Sequence, residues 1–430
     1  MKYKFSTKNK IVGEIFQLLQ GNFIATLISF TNVIVIGRCI SPEEFGTFSV
    51  GFSICMFTAI VSTPIINLFA TYIPRYLVND DRISINNLYR YVARILVFVF
   101  IGASTIIVLF ARNISSLLNI DSVIFVLMVF IYMIIDTALC MNRGVITGFR
   151  NFSVYNKTYY VESISRIIIT LILLSFFKNA TFAFLPYLVA AAITLIYSLL
   201  ELFKKKFISI NFSKFDVKEI NAFFLPLILL SLSFMLFNTV DMLFAKRYLS
   251  SYYAGLYGAV SQISKGILIM GGSFHVLLLP YMSHNAATNQ SSYKLVSRII
   301  GGFLFLSTIA IVTFLLAGDF IIKTLYGVAY CGTKDVLVVL SIGAVFMTIA
   351  SMFGRYFLVV KAYYLLFIPF FFSIIECILL FRFHNSGKLI STIFAMSIGL
   401  SVVVMLGAII IINFRTKIKR SLNLGEKKYV

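Results

Sequence analysis

Lys265 lies about ten residues into an apolar stretch that begins near Gly255. A charge at the centre of a membrane helix costs about 2.5–3.5 kcal/mol on insertion scales, so such a side chain faces a water-filled cavity or a partner. Ser261 and Gln262 precede Lys265 by four and three positions, which places the three on one helical face. Two arrangements fit: a cation that lines a cavity and attracts an anionic substrate, or a structural ion pair with Asp241. Arg166 follows Glu162 by four residues, with Thr170 four further on. That spacing allows an ion pair within one helix, and it also allows a cation facing a cavity. Three carboxylates in apolar surroundings, Asp241, Asp136 and Glu376, are candidates for proton or sodium binding, or are hydrogen-bonded structural groups. Gln17, Gly21, Ala25, Ser29 and Asn32 recur at helical spacing, as close helix packing or as the wall of a cavity. The candidate substrate contacts are therefore Lys265, Arg166, Gln262 and Asn32, and the candidate ion-coupling groups are Asp241, Asp136 and Glu376.

The elements that must hold these residues are membrane spans. The chain has 430 residues, 60% hydrophobic and 12% charged, against about 45–50% apolar and about 25% charged in soluble domains. That balance excludes a water-soluble protein and a disordered one. Twelve segments are apolar over about 20 residues, the length a spanning helix needs: 12–36, 46–73, 92–111, 118–140, 158–177, 181–202, 220–244, 255–280, 298–318, 335–354, 362–381 and 389–413. The fifth is interrupted by Glu162 and Arg166. The loops leave no room for a soluble catalytic domain. Pro64, Pro186, Pro226 and Pro369 fall inside spans, where proline removes a backbone donor and kinks a helix.

Net charge is +21, which reads as loop charge around spans and predicts no nucleic acid. Lys and Arg number 26 at the N-terminus, the loops after even spans and the C-terminal tail, against 9 in the loops after odd spans. Positive loops stay inside, so both termini are expected in the cytoplasm. The cluster Lys204-Lys205-Lys206 and the tail from Arg415 to Arg420 are expected to meet anionic membrane lipids. Five dispersed cysteines and three histidines without ligand spacing predict no disulfide framework and no metal site. No Gly-rich phosphate loop is present, so no nucleotide-driven pump and no cofactor is expected.

Two segments match at a constant offset of 209 residues. Arg38, Ser41, Gly46 and Phe48 correspond to Arg247, Ser250, Gly255 and Tyr257, each set joining the first two spans of a six-span half. Six is even, so both halves enter the membrane in the same direction. The expected fold is all-α and integral to the membrane: about twelve helices in two parallel six-helix repeats around a central cavity, a transporter architecture. The halves are expected at 1–205 and 206–430.

The segment Arg38-Cys39-Ile40-Ser41-Pro42-Glu43-Glu44-Phe45-Gly46 resembles the bacterial polysaccharide flippase family, which shares a superfamily with multidrug and toxin extruders and lipid II flippases. Gly144-Val145-Ile146-Thr147-Gly148-Phe149-Arg150-Asn151-Phe152-Ser153-Val154-Tyr155 carries a second resemblance. Span count, repeat and length agree over nearly the whole chain. The resemblance implies a non-enzymatic transporter that moves an undecaprenyl-diphosphate-linked oligosaccharide from the cytoplasmic to the outer leaflet of the bacterial inner membrane. It also implies O-antigen, lipopolysaccharide or capsule assembly, with a polysaccharide polymerase and chain-length machinery as partners. A multidrug extruder of the same architecture is the alternative. A membrane glycosyltransferase or polymerase fits less well, because no carboxylate pair sits in a sizeable loop.

Overall fold

In the computed structural model the described residues are 8–79, 81–204, 218–287, 293–360 and 362–426. Side chains are described for 20–79, 81–204, 226–272, 297–358, 360 and 362–412. They form helices only: α1 (Lys8–Cys39), α2 (Pro42–Cys55), α3 (Ala59–Val78), α4 (Arg82–Leu117), α5 (Val123–Gly148), α6 (Phe152–Phe176), α7 (Ala180–Lys204), α8 (Lys218–Tyr248), α9 (Ser251–Ala287), α10 (Tyr293–Tyr326), α11 (Lys334–Val359), α12 (Phe367–Arg382) and α13 (Gly387–Glu426). A 3-10 turn at Met56–Thr58 joins α2 to α3 within one span, just upstream of Pro64. The twelve expected spans are thus all helical. Eleven of them are long and apolar enough to cross a membrane. The twelfth, α9, has described side chains only as far as Gly272, and that part carries Ser261, Gln262, Ser264 and Lys265.

Helix starts follow the local sequence. A side-chain oxygen at an N-cap satisfies a backbone N–H that has no partner inside the helix. Ser41 does so for Glu44, Asp81 for Ser84, Ser122 for Phe125 and Asn151 for Val154. Pro42 occupies the first helical position of α2, where its missing N–H costs nothing. Pro369 lies inside its span as expected, but in the first turn of α12, where its missing N–H costs no helical hydrogen bond and no kink follows. Pro74, in α3, is an interior proline not foreseen.

The repeat is visible in the packing. Within the first six spans α1 packs on α6, α6 on α7, α5 on α7 and α3 on α5. Six spans later α8 packs on α12, α12 on α13, α11 on α13 and α9 on α11. The four matched residue pairs perform matched tasks. Ser41 and Ser250 each accept a hydrogen bond from the backbone N–H three residues on, both at 3.4 Å. Phe48 and Tyr257 are both buried. Gly46 and Gly255 meet one another where α2 crosses α9, and a Cβ on Gly46 would stand 2.9 Å from the Gly255 nitrogen. One turn on, Ser49 lies against its own repeat mate Gly258. The halves therefore meet on their symmetry axis. The expected boundary at 205/206 lies outside the described residues.

Several hydrogen bonds join described residues of the two halves at one end of the bundle, the end reached by the loops after odd-numbered spans; we term it the closed end. There Tyr330 donates to the Gly37 carbonyl at 3.1 Å and Lys246 to Thr47 Oγ1 at 2.9 Å. Away from it, α9 turns Gly266 and Gly272 to open space. On the outside, α4 and α10 present Phe98, Leu109, Leu316 and Phe320 to the lipid.

The crossing at Gly46 and Gly255 tolerates no added carbon. A Cβ on Gly255 would overlap the Pro42 carbonyl, which is backbone and cannot swing away. Gly255→Ala should therefore destabilise by about 1–3 kcal/mol, the usual cost of overpacking. Gly266→Ala, pointing to open space, should cost nothing. Thermal unfolding of the purified variants checks the contrast.

Candidate functional site

The residues singled out by sequence separate into two clusters, one in each half. In the first half the cluster is built on α5 and α6. Glu162 lies between two guanidinium groups: Arg143 Nη2 is 2.6 Å from one carboxylate oxygen, and Arg166 pairs with the other. Each arginine also stacks on an aromatic ring, Arg143 over Tyr159 at 3.7 Å and Arg166 over Tyr187 at 4.3 Å. Arg143 Nε donates to Thr158 Oγ1 at 3.1 Å. Asn32 Nδ2 donates to the Tyr187 hydroxyl at 3.4 Å. Asp136 accepts from Thr58 Oγ1 at 3.1 Å. Arg166 is therefore bound to Glu162 in the i, i+4 pair its spacing allowed. The stripe on α1 is close packing at Gly21, which faces Asn156 of α6, and at Ala25, which is buried; Gln17 lies outside the described side chains.

Arg143 belongs to this cluster and the positive-charge count had placed it in a loop. It is buried inside the bundle at 3% exposure. The signal was available: Asp136, Cys140 and Arg143 follow the i, i+4, i+7 spacing of one helical face. Lys246 is misplaced in the same way, since it is buried near the closed end. Moving both into the bundle leaves the loop asymmetry intact.

The second cluster is built on α8, α9 and α12. Lys265 and Asp241 line one small cavity with Asn238, Ser261 and Ser264. Its free volume is about 10 Å³, roughly what one water requires. Asp241 accepts from the Tyr257 hydroxyl at 2.8 Å through one oxygen, and its other oxygen has no partner. Glu376, fully buried on α12, has no hydrogen-bond partner on either oxygen among the described residues. Lys265 and Asp241 share this cavity yet form no ion pair within 4.0 Å, whereas Glu162 pairs with Arg143 and Arg166 and Asp335 with Lys388. Gln262 is buried on the same helix. Arg355, on α11, was also counted with a loop but falls within a span and makes no ion pair with a described residue. It follows Met347, a residue of the cavity wall, by two helical turns.

The two clusters differ in kind. The first is closed upon itself, while the second holds carboxylate oxygens and an ammonium without direct partners. Where α2 meets α9, Ser49 Oγ and Ser53 Oγ are likewise fully buried and unbonded. Among the described residues no group of three His, Cys, Asp or Glu side chains could hold a metal ion. A groove of about 380 Å³ lies on α6 and α7 between Lys157, Tyr160 and Tyr197, and belongs to neither cluster.

The family described as polysaccharide biosynthesis protein matches residues 11–286. An uncharacterized membrane protein of Methanocaldococcus jannaschii is 29% identical over 161 residues, which are 34% of this chain and 39% of that relative. The chain thus aligns with well under half the length of this curated relative. Among solved structures, an inward-facing multidrug resistance MATE transporter of the MOP superfamily superimposes with a TM-score of 0.73 at 13% identity, covering 90% of this chain and 94% of that one. The lipid II flippase MurJ in an inward closed conformation gives 0.70 at 14% identity, over 91% and 87%. An outward-facing MATE transporter gives 0.63 at 15% identity, over 95% and 96%. These likenesses establish a shared transporter fold.

Glu162 neutralises two buried guanidinium groups at once. Removing one partner of a buried ion pair typically costs about 3–5 kcal/mol, because the other charge is left uncompensated. Glu162→Gln should therefore lower membrane abundance and thermal stability sharply. Asp136→Asn, which removes a carboxylate held by a threonine hydroxyl, should cost less. Abundance in membranes and unfolding of the purified protein test both.

Proposed function

Because the chain belongs to the polysaccharide biosynthesis protein family, we propose that it flips an undecaprenyl-diphosphate-linked oligosaccharide across the bacterial cytoplasmic membrane without catalysing bond formation. The direction is cytoplasmic to outer leaflet, for O-antigen or capsule assembly, with both termini inside. The observation that carries this reading is the polar interface of α2 and α9. An unsatisfied buried polar group costs about 1–3 kcal/mol, and Ser49 and Ser53 bear that cost together. Separation of the halves would wet both hydroxyls. An interface that loses so little on opening suits a protein that alternates between two states.

In this orientation the closed end faces outward, and the better superposition on the inward-facing MATE transporter than on the outward-facing one supports an inward-facing state. Lys265, with Gln262 beside it and Arg355 toward the inner end, supplies positive charge for a diphosphate head group, while the lipid tail stays in the bilayer. Arg166 and Asn32 act behind them, as structural members of the first cluster. Asp241 and Glu376 are the proposed ion-coupling groups, since their unbonded oxygens can take up a proton or a cation; Asp136 is secondary because Thr58 already engages it. A polymerase and chain-length machinery would receive the product. The likeness to MATE transporters favours a second reading, drug or toxin export. The cavity wall combines Lys265 with Asp241, a mixed lining rather than the acid-dominated one that cationic drugs would favour.

Deletion of the gene should abolish surface polysaccharide and trap complete lipid-linked repeat units on the inner side. Drug sensitivity with normal surface polysaccharide would instead establish the export reading. Lys265→Ala should insert at normal levels and lose most surface polysaccharide, measured by immunoblot of membranes and of extracted glycan. Full activity in that variant would remove Lys265 from the site.

A further inference from the structure

Arg38 and Arg247 occupy corresponding positions of the repeat, each in the last turn of the first span of its half. The flipping reaction as described gives neither a role. Arg38 Nε donates to the Leu325 carbonyl at 2.8 Å and its Nη2 to the Thr324 carbonyl. Both acceptors lie in the last turn of α10, the third span of the opposite half. Arg247 Nη1 donates to the Ser116 carbonyl at 3.4 Å, in the last turn of α4, again the third span of the opposite half. Leu325 and Ser116 are separated by the same 209 residues as the two arginines. Donors and acceptors therefore obey one symmetry, although no single segment of sequence contains both.

We propose that Arg38 and Arg247 are paired latches that hold the closed end shut. The last carbonyls of a helix lack partners within it and carry the negative end of its dipole, so a guanidinium placed there gains both hydrogen bonds and charge attraction. Each latch is reinforced by a bond that runs the opposite way. Asn119, just past α4, donates to the Arg247 carbonyl at 3.0 Å, and Tyr330, just past α10, donates to the Gly37 carbonyl at 3.1 Å. Both guanidinium groups are exposed, so water can replace the carbonyls when the halves part. A latch of this kind is strong enough to bias the gate and weak enough to release it. Because α4 and α10 each end on the other half's arginine, one half cannot swing away without breaking both latches. The symmetry thus couples the two into a single step.

The inference rests on alternation between two states, and its test does not depend on transport. The natural residues Cys39, Cys55, Cys140, Cys331 and Cys377 are replaced by alanine, and Ser53→Cys is introduced as a reporter at the fully buried meeting of α2 and α9. Maleimide labelling of the purified protein then reads how often that interface opens. A hydrogen bond to a charged group shifts an equilibrium by about 10- to 100-fold. Arg38→Ala and Arg247→Ala should each raise the labelling rate by about tenfold, and the double variant further. Unchanged labelling in a double variant with normal thermal unfolding overturns the latch and leaves the flippase reading standing. If the alanine pair does not accumulate, Arg38→Gln with Arg247→Gln decides by the same reading. Glycan accumulation in the deletion strain tests the flippase reading separately.

Discussion

The rest of the molecule depends on the crossing of α2 and α9 at Gly46 and Gly255. Backbones approach there as closely as glycine permits, and each helix carries the polar side chains that follow, Ser49 and Ser53 on one and Ser261, Gln262 and Lys265 on the other. In hydrocarbon, small residues are what allow helices to pack, because lipid is as apolar as leucine and drives nothing together. The crossing also fixes the symmetry axis. With it fixed, Arg38 reaches α10 and Arg247 reaches α4, and the first two spans of each half present their polar face to the other half.

Around that axis the two halves have diverged in their electrostatics. The first half neutralises itself: Glu162 is shared by Arg143 and Arg166, the arginines rest on Tyr159 and Tyr187, and Asp136 is held by Thr58. Such a cluster satisfies its charges from within its own half. The second half leaves Asp241 and Glu376 with unbonded oxygens and Lys265 beside them without a direct ion pair. Buried charge in that condition is costly.

Some of this was legible in one dimension. Lys265 and Glu376 stood out because an isolated charge in an apolar run is conspicuous, and the Arg166–Glu162 pair followed from its spacing. Arg143, Lys246 and Arg355 were missed for the opposite reason. Each lies near the end of a span, where loop charge and buried charge look alike in sequence, and only packing separates them. Pro369 shows the same difficulty at a helix start.

By itself the sequence determined the twelve spans, their common direction in the two halves and the repeat between them. Those features depend on hydropathy, helical period and local capping, all of which act over short stretches of chain. Only the tertiary structure decided that Gly46 touches Gly255, that Glu162 serves two arginines, and that Arg38 and Arg247 each close the end of a helix in the other half. Those contacts join residues more than a hundred positions apart or choose among equivalent local partners. They arise from how the helices pack against one another, and that is set jointly by the whole bundle.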